Sequence, residues 1–321
     1  MAKKIGVITS GGDAPGMNAV LRAVTRYGIF LGYQIIGIRR GFKGLLDNDF
    51  ITLTLRSVSG IINLGGTLLH TGRCSAIKTV LGMEKAIRII KKLNLYGMII
   101  IGGDGSLAAG DVFVRHGIRI INVPASIDND ICGTDETIGY DTALNTAVEA
   151  IDKIRDTATS HDRIFVVEIM GRDHGFLTLD VGIAAGCEFI VVPEIKTDIQ
   201  KLIEELRMGK EKGKTSEIIA FAEGCGSSVK FAEKIKILTG GLEVKVSTLG
   251  YIQRGGRPTA RTRILASKLG HTAVNLLEQG KCNLLVGITD GKISSVPICE
   301  AIKQKKKFDI ELVKVLMNLS V

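Results

Sequence analysis

The sequence predicts an α/β fold built mainly on parallel sheet, and three observations carry that expectation. Short β-branched runs such as Met98–Ile101 and Ile118–Val123 recur along the chain, and runs of this length read as buried strands. Stretches of helical period separate several of them. Glycine- and acid-bearing turns close two of the runs, at Gly102-Gly103-Asp104-Gly105-Ser106 and at Pro124-Ala125-Ser126-Ile127-Asp128-Asn129-Asp130. Strand and helix in alternation call for right-handed crossovers between parallel strands.

In chain order, strands are expected at Lys4–Thr9, Gln34–Arg39, Met98–Ile101, Arg119–Val123, Ile164–Met170, Phe189–Val192, Glu217–Phe221, Val244–Leu249 and Leu284–Ile288. Two helices are plain from their pattern. Glu84–Leu93 alternates Ile87, Ile89, Ile90 and Leu93 with Arg88, Lys91 and Lys92, and Leu144–Ile154 puts Leu144, Val148, Ile151 and Ile154 on one side. The segment Ile5–Asp13 echoes Ile99–Asp104: a strand, then Gly-Gly-Asp, then a helix. Both would aim a helix N-terminus and bare N–H groups at one edge of the sheet. A single Gly-Gly-Asp marks no more than a tight turn; two of them beside an Asp-Asn-Asp cluster suggest a site.

At 321 residues the chain can form two domains or one large α/β unit, and no low-complexity linker divides it. Apolar residues make up 45% of it, enough for a sizeable core. No apolar run approaches the roughly 18 residues of a membrane span, and the start at Met1-Ala2-Lys3-Lys4 carries no secretory pattern. The six cysteines are widely spaced, with no C-x-x-C pair, and are expected to be reduced thiols of a cytoplasmic protein. The net charge of +9 raises the question of nucleic acid, but the chain has no Trp and no long basic stripe. Anionic small molecules explain the excess better, with nucleic acid the alternative and no membrane partner expected. The run Lys303–Lys307 is expected to be a solvated face.

The residues at the strand ends suit phosphoryl transfer, which needs an anion cradle, a divalent metal, spare positive charge and a base. Gly12 and Gly103–Ser106 can cradle phosphates through backbone N–H groups. Asp104 and Asp130 are candidate magnesium anchors, partly through water. Asp128 can take the acceptor's proton with Ser126 helping to place it, and Arg73 and Arg172 can neutralise charge on the moving group.

Ser10–Asn18, Gly102–Ser106, Pro124–Asp130, Met170-Gly171-Arg172 and Gly250–Gly256 together resemble, in order, the signature blocks of the bacterial 6-phosphofructokinase family. The resemblance runs from Lys4 to beyond Leu285. It implies two Rossmann-like three-layer α/β domains with mostly parallel sheets and the active site in the cleft between them. The larger, ATP-binding domain would comprise residues 1–139 with 253–302, and the smaller, sugar-phosphate domain residues 140–252 with 303–321. By the same resemblance Asp128 takes the proton from the sugar O1, while Asp104 binds magnesium. Gly12, Arg73, Cys74, Gly103, Asp104, Gly105 and Ser106 meet ATP. Ser126, Arg163, Met170, Gly171, Arg172, Glu223, Lys245, Tyr251 and Arg254 hold fructose 6-phosphate. The subunits would form a homotetramer in which Arg163 and Lys245 reach the sugar phosphate of a neighbour.

Arg22, Arg26, Arg155, Gly186, Glu188, Lys212 and Lys214 match the family's effector pocket, which takes ADP or phosphoenolpyruvate. Four positions depart from the family's common pattern. Lys245 stands for an Arg and Tyr251 for a His in the sugar-phosphate set; Leu55 stands for an Arg and Gly60 for an Asp in the effector set. Lys keeps the charge of Arg but not its bidentate fork. Family members that use pyrophosphate tend to carry Asp where this chain has Gly105 and Lys where it has Ala125. Small residues at both positions leave room for a nucleotide, so ATP is the expected donor. A pyrophosphate-dependent enzyme and a catalytically weak regulatory paralogue are the alternatives.

Overall fold

The computed structural model describes residues 2–319, which divide into two compact units. The first comprises residues up to 142 together with 254–306, and the second residues 143–253 together with those from 307 on.

In the first unit the chain runs β1 (Lys4–Ser10), α1 (Met17–Phe30), β2 (Gln34–Ile38), α2 (Gly41–Asp47), β3 (Phe50–Leu53), α3 (Val80–Lys92), β4 (Leu95–Gly102), α4 (Asp104–Arg115), β5 (Ile120–Ser126) and the short β6 (Ile138–Gly139). Helix α5 (Tyr140–Ser160) then carries the chain into the second unit. That unit contains β7 (Ile164–Ile169), α6 (Phe176–Ala184), β8 (Phe189–Val191), α7 (Ile199–Glu211), β9 (Glu217–Ala222), α8 (Ser228–Leu238) and β10 (Val244–Thr248). The chain returns to the first unit for α9 (Ala260–Glu278), β11 (Leu284–Thr289), β12 (Lys292–Pro297) and α10 (Ile298–Lys303). It ends in the second with α11 (Ile310–Leu319).

The first sheet has the order β12-β11-β5-β4-β1-β2-β3, with β6 beside β5, and its central strands are parallel. Its middle strands read as unbroken apolar runs because both faces are covered. Six successive residues of β4, Gly97–Gly102, are buried. On one face Ile8, Met98, Ile100 and Ile120 pack with residues of α2, α3, α4 and α10, Phe113 of α4 among them; α1 and α9 pack against each other. The second sheet, β10-β7-β9-β8, is parallel throughout, and Val166, Ile219 and Phe221 anchor its core.

The nine expected strands all form, within a few residues of the expected bounds, and both helices run longer than their periodicity suggests. Three strands escaped the pattern. Strand β3 is a four-residue antiparallel edge beside β2, and β6 has two residues. Strand β12 pairs antiparallel with β11 through the two-residue turn Asp290-Gly291, both at positive φ. Asp-Gly at such a turn is a strong hairpin signal. The signal was masked because β12 is largely exposed and ends in Pro297, so it lacks an apolar run.

Candidate active site

Parallel strands that end together put their loops on one sheet edge, and here three neighbours do so. Ser10 at the end of β1 is the register partner of Gly102 at the end of β4, and Gly102 in turn partners Pro124 in β5. The two Gly-Gly-Asp segments therefore leave the sheet side by side, with the Ile127–Asp130 loop next to them. The spacing is tight. A methyl group on Gly102 would lie 2.4 Å from both the Ser10 carbonyl oxygen and Ser106 Oγ, so no larger residue fits. Ser106 Oγ donates to the Ser10 carbonyl at 3.2 Å, tying the start of α4 to the end of β1.

Gly103 caps α4 without a side chain, and Asp104 lies in the helix's first turn. The first N–H groups of a 12-residue helix thus stand at the strand end, where they favour an anion. A Cβ at Gly105 would meet no described atom outside its own helix backbone within 4 Å, whereas Ala125 is buried in β5. Gly12 meets a different neighbour. A methyl group on it would lie 2.1 Å from Nη1 of Arg254, whose Nε is buried with no hydrogen-bond partner among the described residues. A guanidinium left short of an acceptor over a glycine loop is suited to an incoming anion. Thr71 Oγ1 steadies the same loop by donating to the Gly11 carbonyl at 3.1 Å; Arg73 is exposed and Cys74 half-buried close by in sequence.

Asp128 is 2% exposed, and its N–H donates to Ser126 Oγ at 3.1 Å. Asn129 takes the left-handed conformation, with φ 53°. Its Oδ1 accepts from Thr137 N at 3.0 Å and from Lys306 Nζ at 2.8 Å, while Thr137 Oγ1 donates to the Ser126 carbonyl at 2.6 Å. Lys306 is half-buried, so this member of the Lys303–Lys307 run is not part of a solvated face. Among the described residues no three His, Cys, Asp or Glu side chains gather closely enough to hold a metal ion by themselves. The donor set of Asp104 and Asp130 still fits magnesium, which takes hard oxygen ligands and is usually held by one or two carboxylates, phosphates and water rather than a protein cage.

In the second unit, one oxygen of Glu223 accepts from the N–H groups of Gly171 (3.1 Å) and Arg172 (2.6 Å). Arg172 has φ 52°, and a methyl on Gly171 would approach the His174 carbonyl oxygen to 2.5 Å. Met170 N–H donates to the fully buried Gln253 at 3.3 Å. Arg163 Nε and Lys245 Nζ lie 3.0 and 2.9 Å from the same oxygen of Glu243. Hydrogen bonding, first from Arg163 and then from Lys245, draws the Glu243 carboxyl down to about 2. Tyr251 is 82% exposed.

A family model described as phosphofructokinase matches residues 4–277. The chain belongs to the phosphofructokinase family. Among curated relatives it is 49% identical over 319 residues to an ATP-dependent 6-phosphofructokinase of Halalkalibacterium halodurans, covering 99% of this chain and 100% of that one. It is 48% identical, with the same coverage, to the protein of that name in Bacillus subtilis. The solved structure of Pichia pastoris phosphofructokinase in the T-state matches with a TM-score of 0.90 at 33% identity, covering 100% of this chain and 37% of that one. A pyrophosphate-dependent phosphofructokinase from Nitrosospira multiformis matches at TM-score 0.86 and 22% identity, covering 97% and 87%, a likeness of fold.

Within this phosphofructokinase the effector-matched residues fall into two sets. Arg155 Nη1 pairs with Glu188 at 3.1 Å, and its Nη2 donates to the carbonyls of Ala185 (3.1 Å) and Gly186 (2.7 Å). Lys212 and Lys214 follow α7 in the same unit. Arg22 and Arg26 lie on α1 of the first unit. Sequence reasoning missed Glu243, Gln253 and Lys306. Glu243 was legible as an acid two residues from Lys245, a spacing that shares a strand face. Lys306 gave no local signal, since its partners lie about 170 residues earlier. No helix among the described residues is long and apolar enough to cross a membrane.

Proposed function

We propose that this phosphofructokinase moves the γ-phosphoryl of ATP to the C1 hydroxyl of fructose 6-phosphate, giving fructose 1,6-bisphosphate and ADP. The observation that carries this reading is near-half identity, over essentially the whole chain, to bacterial proteins named ATP-dependent 6-phosphofructokinase.

The residue roles are those that the family resemblance implies, and the local chemistry supports them. The N–H groups at Gly12 and Gly103–Ser106 bind the donor's phosphates at the start of α4, with Arg73 and Cys74 alongside. Asp128 accepts the C1 hydroxyl proton as the oxygen attacks phosphorus in line with the departing ADP. Ser126 keeps the Asp128 loop in shape through their 3.1 Å hydrogen bond. Asp104 and Asp130 would hold magnesium, which when bound neutralises charge on the phosphates. Arg172 offsets charge on the transferring group, in an orientation set by Glu223 through backbone N–H groups. Arg163, Met170, Gly171, Lys245, Tyr251 and Arg254 serve the sugar phosphate. The open space at Gly105 and the small, buried Ala125 favour a nucleotide over pyrophosphate.

On this reading the first unit carries the nucleotide together with Ser126, Asp128 and Arg254 of the sugar-phosphate set, and the second carries the rest of that set. The active form is a homotetramer in the cytoplasm. Arg22, Arg26, Arg155, Gly186, Glu188, Lys212 and Lys214 take an anionic effector, ADP or phosphoenolpyruvate. The test is a coupled assay of the purified protein with fructose 6-phosphate, magnesium and either ATP or pyrophosphate. ATP should support the faster turnover, and faster turnover with pyrophosphate would overturn the donor assignment.

A further inference from the structure

We infer that Lys306 is a positioning residue for phosphoryl transfer, holding the Asp128 loop in shape through Asn129. This rests on the reading of Asp128 as the base, and goes beyond it to the segment that braces that base.

A left-handed residue between two carboxylates does not hold itself. Asn129 tolerates positive φ better than most residues, but its side chain must be fixed for the loop to keep one geometry. Three bonds fix it. Its Oδ1 accepts from Thr137 N (3.0 Å) and Lys306 Nζ (2.8 Å), and its Nδ2 donates to the Asp135 carbonyl (3.2 Å). Lys306 Nζ also donates to that carbonyl at 2.7 Å, so one ammonium closes the ring from both sides. The ring is tied outward, with Asp135 N donating to the Ile288 carbonyl in β11 at 2.7 Å. Two positions before Lys306, Gln304 lies 3.5 Å from Cys132 Sγ, a second contact between this segment and the loop. Lys306 is moreover the residue at which the chain leaves the first unit for the last time. A bond from an ammonium is the stronger kind, and among the described residues only this one comes to Asn129 from a distant part of the chain.

The test is steady-state kinetics on full-length Lys306→Met, Asn129→Ala, the double variant and Lys306→Arg, each beside its Tm. Lys306→Met should lower kcat about tenfold or more with KM for ATP and fructose 6-phosphate within about twofold, the split expected when only transition-state geometry is lost. Lys306→Arg should restore most of kcat. The double variant should be no slower than the slower single, because residues acting through one contact do not add. If Lys306→Met fails to fold, Lys306→Gln is read in the same way. A kcat within about twofold of the parent, multiplicative losses in the double variant, or a fall in Tm alone would each overturn the inference. Asp128→Asn, assayed in parallel, separates the two readings. If it is inactive while Lys306→Met is normal, only the positioning role fails. If Asp128→Asn keeps normal kcat, the base assignment fails and this inference with it.

Discussion

Arg254 lies over Gly12 so closely that its Nη1 occupies the place of a Gly12 side chain, 2.1 Å from where a methyl carbon would be. One of these residues is assigned to the nucleotide and the other to the sugar phosphate, and their contact puts both assignments at one point. The obstructing atom is the end of a flexible side chain, so Gly12→Ala should fold normally while displacing the guanidinium. Losing one charge-assisted hydrogen bond corresponds to about 1.5–3 kcal/mol, or roughly a 10- to 150-fold rise in KM for fructose 6-phosphate. Steady-state kinetics reads it directly. An unchanged KM for the sugar phosphate would remove Arg254 from that role.

Glu243 holds the two cations assigned to the sugar phosphate, so it competes with the substrate for them. Glu243→Gln removes the competing charge. KM for fructose 6-phosphate should fall about two- to fivefold with kcat unchanged, a modest effect because the pair is exposed. Lys245→Arg should lower the same KM by restoring a bidentate donor. A rise in KM on Glu243→Gln would mean that the carboxylate orients Arg163 and Lys245 instead of competing for them.

Donor choice has its own handle. Because a Cβ at Gly105 would meet no described atom outside its own helix backbone within 4 Å, Gly105→Asp should fold without a clash at that carbon. Its carboxylate would face the nucleotide's phosphates, and like charges brought together cost several kcal/mol, so KM for ATP should rise at least about tenfold. Comparing KM for ATP between the parent and this variant checks it. No change would place the nucleotide elsewhere.

Buried strands and exposed edges read differently in the sequence. Buried parallel strands such as β4 announced themselves because both faces are covered, and the loops that end β1, β4 and β5 carried their chemistry in short, local motifs. Partly exposed edges did not: β3 is only four residues long and β12 has no apolar run, so only the Asp-Gly turn betrayed the latter. Contacts distant in sequence were beyond reach for the same physical reason. No periodicity links Lys306 to Asn129, or Arg254 to Gly12, and the glycine's small size is explained only once the guanidinium is seen above it.

Glu217 offers a pH test independent of catalysis. It is 5% exposed at the start of β9, and burial first, then the charge of Glu188, pushes its carboxyl up to about 7, while Lys214 and Lys210 pull the other way. The native chain therefore keeps this proton up to about pH 7, whereas the unfolded chain releases it near 4.5. Its contribution to stability falls as pH rises through that interval and stays low above it. Glu217→Gln should stabilise the protein at pH 8 by on the order of 1–2 kcal/mol, less than the full shift implies because nearby water and lysines screen the charge. It should change little at pH 5. Thermal melts of both proteins at the two values decide it, and equal gains at both would show that titration of Glu217 is not the cause.

The central claim is that Asp128, buried at the end of β5 beside the glycine loops of β1 and β4, removes the proton from the accepting hydroxyl. The direct measurement is kcat of Asp128→Asn with saturating ATP, magnesium and fructose 6-phosphate. A fall of roughly 10²–10⁴ with both KM values little changed is the expected result. A kcat near that of the parent would contradict the account.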